Sequence, residues 1–192
     1  MDWDWGLFQL INGWAGRWAL LDEAMRLVAS DYGLTTAISL GLVALWFEGR
    51  YRSTRAPNQR AVLMAGFSLL ITNALLKLCN AIYFRPRPFY ARSINLLFYH
   101  PTDSSFPSNA ATVGFAIAVS VWLRNRRAGL GFIFAALLFA FARIFCGIHY
   151  PGDVLAGALL GGGVSYLLTR QRRWLDPVFD LAVRLARAIC LA

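Results

Sequence analysis

Apolar runs of membrane-spanning length, parted by short arginine clusters, constrain this chain more than any other feature. Segments that long and that apolar read as transmembrane helices. Spans are expected at about 32–48, 61–83, 108–123, 128–148 and 152–169. Composition agrees: 58% of the 192 residues are hydrophobic, 15% are charged and the mean hydropathy is +0.49. An ordinary soluble domain carries roughly 25% charged residues. Disorder, collagen, small disulfide scaffolds and a water-soluble globule are thereby excluded. The expected fold class is all-α, a polytopic membrane helix bundle with about five spans plus interfacial amphipathic helices, in a single domain over 1–192.

The flanks read differently from the spans. Segments 5–14 and 19–30 are amphipathic, and Asp22, Glu23 and Arg26 would be costly at bilayer depth. Tryptophans 3, 5, 14 and 18 suit the interface, so this part is expected to lie on the membrane or only partly in it. The N-terminus lacks the positive region of a cleavable signal peptide and is expected to remain. In the tail 174–192, Leu175, Val178, Leu181, Leu185 and Ile189 oppose Arg184 and Arg187, which predicts an interfacial helix and not a sixth span.

Charge sets the orientation. Lys and Arg number 19 against 10 Asp and Glu, with Lys77 the single lysine. Nucleic-acid binding needs a solvated basic face, whereas these arginines sit between apolar runs, so no nucleic-acid partner is expected. The clusters Arg50/Arg52/Arg55/Arg60, Arg124/Arg126/Arg127 and Arg170/Arg172/Arg173 fall on one side in a five-span chain, the cytoplasmic side by the positive-inside rule. Segments 85–107 and 143–153 then face outward together. Cys79, Cys146 and Cys190 are scattered in apolar segments, with neither a disulfide framework nor metal spacing.

Those two outer segments hold nearly all the remaining polar chemistry. The turn from Arg143 through His149 to Asp153 places a guanidinium, an imidazole and a carboxylate at one membrane surface. Such a set suits phosphoryl transfer: imidazole attacks phosphorus, a carboxylate orients it, and a guanidinium holds phosphate oxygens. Taken alone, the turn is equally explained by a helix-terminal arginine, a surface histidine and an aspartate complementing the helix dipole. The segment 85–107 shifts the balance. Arg85 and Arg87 alternate with Pro86 and Pro88, giving proline-stiffened guanidiniums matched to phosphate oxygens. Ser105-Phe106-Pro107-Ser108-Asn109 precedes the third span, where free N–H groups and the helix dipole favour an anion.

With these three blocks in view, the sequence resembles the type-2 phosphatidate phosphatase superfamily, whose pattern is K-x6-RP, PSGH and SR-x5-H-x3-D. Within it, the likeness is to the undecaprenyl-pyrophosphate phosphatases of the bacitracin-resistance type. It runs over residues of about 73–170, including Tyr83-Phe84, Pro86 to Phe89, Ser105 to Ser108, Arg124 to Arg126 and His149 to Pro151. The resemblance implies His149 as a nucleophile forming a phosphohistidine and Asp153 as its orienting partner. It implies Arg87, Ser108 and Arg143 as holders of the transferred phosphoryl group, with Asn109 and Arg85 beside them. No metal and no cofactor are implied.

Three departures matter. The family lysine position falls on Asn80, and Lys77 shares its helix face, one turn deeper, from where it would reach the same pocket. Ala142 stands for a serine. Ala110 stands where the family has the histidine that protonates the leaving group, and because the motif is otherwise kept it reads as a deliberate replacement. His100, on the same outer segment, is the only other histidine. The resemblance implies removal of one phosphate from a polyprenyl diphosphate at the outer face of a bacterial cytoplasmic membrane, recycling a cell-wall lipid carrier and impaired by Ala110. A glycerophospholipid phosphatase and an acid-less lipid-phosphate binder are the alternatives. Expected partners are the lipid substrate and membrane lipids.

Overall fold

The computed structural model describes residues 3–49 and 52–188. Arg50, the side chains of Arg52 and Ser53, Ile189 and Cys190 lie outside the described residues. The elements are α1 (Trp3–Asn12), α2 (Ala19–Ala29), α3 (Gly33–Phe47), α4 (Arg52–Ile82), α5 (Pro88–Ala91), α6 (Asn109–Arg124), α7 (Arg126–Phe145), α8 (Pro151–Arg170) and α9 (Arg172–Ala188). Described secondary structure is helical throughout, as expected of this class.

A helix stands at each of the five expected spans, but they differ in reach. Arg55–Ile82, Arg126–Phe145 and Pro151–Arg170 are each long and apolar enough to cross a bilayer, and α2 with α3 forms a fourth candidate bent by 53°. Helix α6 has 16 residues, about 24 Å of rise against a hydrocarbon core of about 30 Å. It is instead the central packing element, buried against α4, α7 and α8.

Local chemistry sets these boundaries. The Ser108 hydroxyl accepts from the Ala111 N–H at the start of α6, and the Asn125 side chain accepts from the Ala128 N–H at the start of α7. Pro88 and Pro151 open α5 and α8 at positions whose N–H has no helical partner to lose. Within the proline-rich 85–107 segment, Pro88 thus starts a single turn of helix. Gly147 ends α7 at φ +83°, where a Cβ would lie 2.8 Å from Ile94 Cδ1.

In lipid, apolar burial gives little drive to helix pairing, so close approach of small residues carries it. Gly157, Gly161 and Ser165 form one stripe on α8, seated on Ser108, Thr112 and Ala116 of the α6 segment. A Cβ at Gly157 would lie 2.5 Å from the Ser108 carbonyl oxygen, and one at Gly161 would lie 2.1 Å from that of Thr112. The Ser165 hydroxyl donates to the Ala116 carbonyl at 2.8 Å.

Both flanks are more deeply docked than expected. Trp3, Trp14 and Trp18 are exposed, as interfacial residues would be, but Trp5 and Phe8 are buried against Tyr150. Asn12 Nδ2 donates to the Phe145 and Asn95 carbonyls, so α1 packs directly on the α7–α8 turn. In α9, Phe179 and Val183 are buried, while Val178, Leu181 and Leu185 stay exposed. Arg60 binds Asp180 and Arg124 binds Asp176, drawing the ends of α4 and α6 onto α9. These described basic residues therefore gather at the opposite end of the bundle from the α7–α8 turn. Cys79 and Cys146 are free, and Cys146 is buried as a packing group.

If the α6–α8 contact sets the bundle, Gly161→Leu should destabilise it by at least the 1–3 kcal/mol typical of overpacking. Thermal unfolding in detergent should show a lower Tm for Gly161→Leu and an unchanged one for Gly163→Leu, where a Cβ meets nothing within 4 Å.

Candidate active site

The α7–α8 turn carries His149, and the loop from 83 to 107 wraps over it. His149 is 2% exposed. Its Nδ1 lies 2.9 Å from the Ser105 carbonyl oxygen. A carbonyl only accepts, so Nδ1 bears the hydrogen and Nε2 keeps its lone pair. Nε2 lies 3.3 Å from a guanidinium nitrogen of Arg87, which donates to it. Burial, and then the positive charges of Arg87 and Arg143, hold the imidazole pKa well below its ordinary value of 6.5. A neutral, tautomerically fixed imidazole is the state that a nitrogen nucleophile requires.

Asp153 occupies a different place from the one expected. It was expected to orient His149, yet the Ser105 carbonyl is what meets Nδ1. The Asp153 carboxylate, fully buried, accepts from Ser105 Oγ at 2.5 Å, from the Tyr150 N–H at 3.0 Å and from Arg85 at 2.5 Å. Its effect on His149 therefore passes through Ser105. The Asp153 backbone carbonyl also accepts from the Ser108 N–H at 3.0 Å, which seats the start of α6 on that of α8.

A cavity of about 350 Å³ opens beside the imidazole, lined in part by His149, Arg87, Arg143, Asn109, Ala110 and Asp31. Arg87 is 4% exposed and Arg143 7%. The Arg143 Nε–H is buried without a partner among the described residues, and its guanidinium lies over the Phe98 and Phe139 rings. A buried, unsatisfied charged donor facing a cavity is suited to an incoming anion.

Three expected phosphate ligands stand elsewhere. Arg85 is held between Asp4 and Asp153, over the Tyr150 ring, and does not line the cavity. Its charge balances two carboxylates, so it is a structural cation. Lys77 is exposed on α4, with no partner among the described residues and no part in the cavity wall. One helical turn proved too far for its side chain to join the site. Ser108 is fully buried, its hydroxyl oxygen accepting from Ala111 to cap α6 and its N–H given to Asp153, and it does not line the cavity. His100 is exposed and meets the Phe89 ring edge-on.

Three acidic residues went unnoticed in the sequence. Asp103 pairs with Arg87 at 2.7 Å, and Asp31 pairs with Arg143 while accepting from the Tyr99 hydroxyl at 2.7 Å. Each carboxylate is a charged acceptor on an arginine that lines the cavity. A signal for Asp31 existed: a carboxylate between two apolar helices is a functional candidate by default. Asp4, which takes the Gly152 N–H at 2.7 Å as well as Arg85, had none, because its partners lie far along the chain. Among the described residues, no group of three or more His, Cys, Asp or Glu is placed to hold a metal ion.

A family model of the PAP2 superfamily matches residues 61–177. The undecaprenyl-diphosphatase BcrC of Bacillus subtilis is 34% identical over 183 residues, covering 95% of this chain and 91% of that protein. A Bacillus licheniformis protein named bacitracin transport permease protein BcrC is 30% identical over 155 residues, 80% of this chain and 73% of that one. Among solved structures, Aquifex aeolicus LpxE aligns with a TM-score of 0.69 at 26% identity, covering 88% of this chain and 96% of that one.

The depressed imidazole pKa has a readable consequence. His149 is neutral in the fold but takes a proton once unfolded and below pH 6.5, so its contribution to stability is present above 6.5 and falls away as pH drops further. In micelles, the ring resonances of nitrogen-labelled His149 should show no inflection at pH 6.5. A full transition there would mean an accessible, ordinary imidazole.

Proposed function

Because the chain belongs to the PAP2 superfamily, we propose that it is built to remove the terminal phosphate of a polyprenyl diphosphate, leaving the monophosphate. The observation that carries this reading is the neutral His149, its Nε2 free of hydrogen, beside a cavity walled by two buried arginines. The 34% identity to an undecaprenyl-diphosphatase over nearly the whole chain supports the choice of substrate.

The steps follow from that geometry. The diphosphate displaces the carboxylates of Asp31 and Asp103 from Arg143 and Arg87, and Arg87 turns its N–H from Nε2 to a phosphate oxygen. Nε2 attacks the terminal phosphorus. The bond to the bridging oxygen breaks, and its electron pair leaves with the lipid monophosphate. Water then adds to the phosphohistidine, the N–P bond returns its pair to Nε2, and inorganic phosphate departs with the protons of water. The arginines spread the charge that builds on the phosphoryl oxygens. Asp153 acts as a positioning residue through Ser105.

Ala110 removes the acid without removing the reaction. An alcohol leaving group has a pKa near that of water, ~16, and leaves very slowly unprotonated. A lipid phosphate has a second pKa of about 6 and leaves readily. The chain as it stands is therefore impaired far more towards monoesters than towards diphosphates. A general acid contributes about 10²- to 10⁴-fold, and Ala110→His should restore a gain of that order on phosphatidate but a smaller one on undecaprenyl diphosphate. His149→Ala in that background should abolish phosphate release, and Asp153→Asn should cut it by about 10² or more. Turnover of phosphatidate or phosphatidylglycerol phosphate with none of the diphosphate would favour a glycerophospholipid phosphatase. Binding without release, unchanged by Ala110→His, would favour a lipid-phosphate binder, the reading that the permease name of one relative brings into view.

The proposed setting is the bacterial cytoplasmic membrane with the cavity facing outward. Its support is the gathering of Arg60 and Arg124 at the end of the bundle opposite His149. With Cys79, Cys146 and Cys190 replaced, Ser93→Cys should react with an impermeant thiol reagent in intact cells, and Ser53→Cys only after the membrane is opened. The reverse pattern would place the cavity inside.

A further inference from the structure

The seam between α3 and α7 continues past the arginine cavity. The two helices run antiparallel, and residues facing the seam follow one another in register down its length. At the mouth, Asp31 meets Arg143. Below it, Thr35 and Phe139 still line the arginine cavity. Below these begins a second, apolar cavity of about 530 Å³, lined in part by Ile38, Gly41, Leu45, Phe132 and Ala135, with Glu48 at its far end. The two cavities thus follow one another along the same pair of helices, Thr35 and Phe139 lining the first and Leu34 and Ala135 the second.

The volume of the apolar groove comes from small side chains on both walls. Ala37, Gly41 and Ala44 on α3 face Ala128, Gly131 and Ala135 on α7. Phe132 lies across the middle, its Cζ 3.1 Å from where a Cβ at Gly41 would be. A Cβ at Gly131 would meet nothing within 4 Å, so that position opens into free space. From Asp31 to Glu48 the seam runs about 26 Å at the helical rise, most of a hydrocarbon core of about 30 Å. Glu48 is tied to Asn58 Nδ2 at 3.3 Å and closes the bottom.

We propose that this α3–α7 groove is the binding site for the isoprenoid chain of the substrate, whose diphosphate sits in the arginine cavity above it. The proposal rests on the diphosphatase reading for the identity of the headgroup. The occupant follows from this succession: a charged cavity followed along the same two helices by an apolar groove fits one molecule with an anionic head and a long apolar tail. In a bilayer, moving such a tail from lipid to protein gains nothing from water release. Selection must come from fit and dispersion contacts along a tail already tethered by its head. A groove walled by alanine and glycine, with one aromatic bar, admits a slender branched chain and ties the specificity of the site to residues remote from the reacting phosphorus.

Two measurements test this, one independent of turnover. An undecaprenyl monophosphate carrying a mid-chain diazirine, photolysed with the protein in vesicles, should label peptides of α3 and α7. Gly131→Leu, which fills the groove without a Cβ clash, should remove that label and keep the parental Tm. In the Ala110→His form, Gly131→Leu should raise KM for undecaprenyl diphosphate at least tenfold and change KM for farnesyl diphosphate less than twofold. Label elsewhere in the bundle, equal changes for both diphosphates, or displacement of the label by excess phosphatidylglycerol would overturn the proposal. Label in the groove from a protein whose Ala110→His form hydrolyses neither diphosphate would uphold the groove and remove the diphosphatase reading.

Discussion

A single buried carboxylate organises the reacting end of this protein. Asp153 has no solvent, and a charge so placed must have every lone pair occupied. Its partners come from two stretches of chain: Ser105 and Arg85 from the 83–107 loop, and the Tyr150 N–H from the start of α8. Its own backbone carbonyl holds the start of α6. Arg85 passes the constraint on to Asp4 in α1. The Ser105 carbonyl can set the tautomer of His149 only because the residue that carries it is pinned in this way. Removing the carboxylate would leave the buried Ser105 hydroxyl without its acceptor and Arg85 with Asp4 alone, and the loop would lose its register on the imidazole.

The α6–α8 contact makes that arrangement possible. Gly157 and Gly161 let the two helices approach until Ser108 and Asp153 share a hydrogen bond. Larger side chains would separate the helix starts on which the imidazole and the cavity wall are mounted. Backbone approach thus governs distances between groups that never touch the glycines.

Two carboxylates balance the charge of the arginines in the cavity wall. Arg87 and Arg143 each hold a carboxylate, from Asp103 and Asp31. Both acids are more exposed than their arginines, so on the proposed reaction the acids yield while the buried guanidiniums stay. A site that kept two unpaired arginines out of water would bear a heavy desolvation cost. Pairing them with more exposed carboxylates lowers that cost, and on the proposed reaction a more highly charged phosphate takes their place.

The all-helical class, the places of the five helices and the amphipathic character of the tail were legible in the sequence, because periodicity and apolar run length are local properties that bilayer thickness makes decisive. So was the grouping of Arg87, His149 and Arg143, which spacing and motif together indicate. The rest depended on which distant residue would reach which charge. Arg85 and Arg87 are two residues apart, yet one is a structural cation between Asp4 and Asp153 while the other lines the cavity. Asp153 is linked to His149 through Ser105 and not directly, Lys77 is exposed and outside the cavity wall, and Asp31 and Asp103 pair with the arginines. Sequence settles which segments must be helical in lipid. Only the packed chain decides the partner of each buried charge, because that choice depends on sub-ångström distances between groups scores of residues apart.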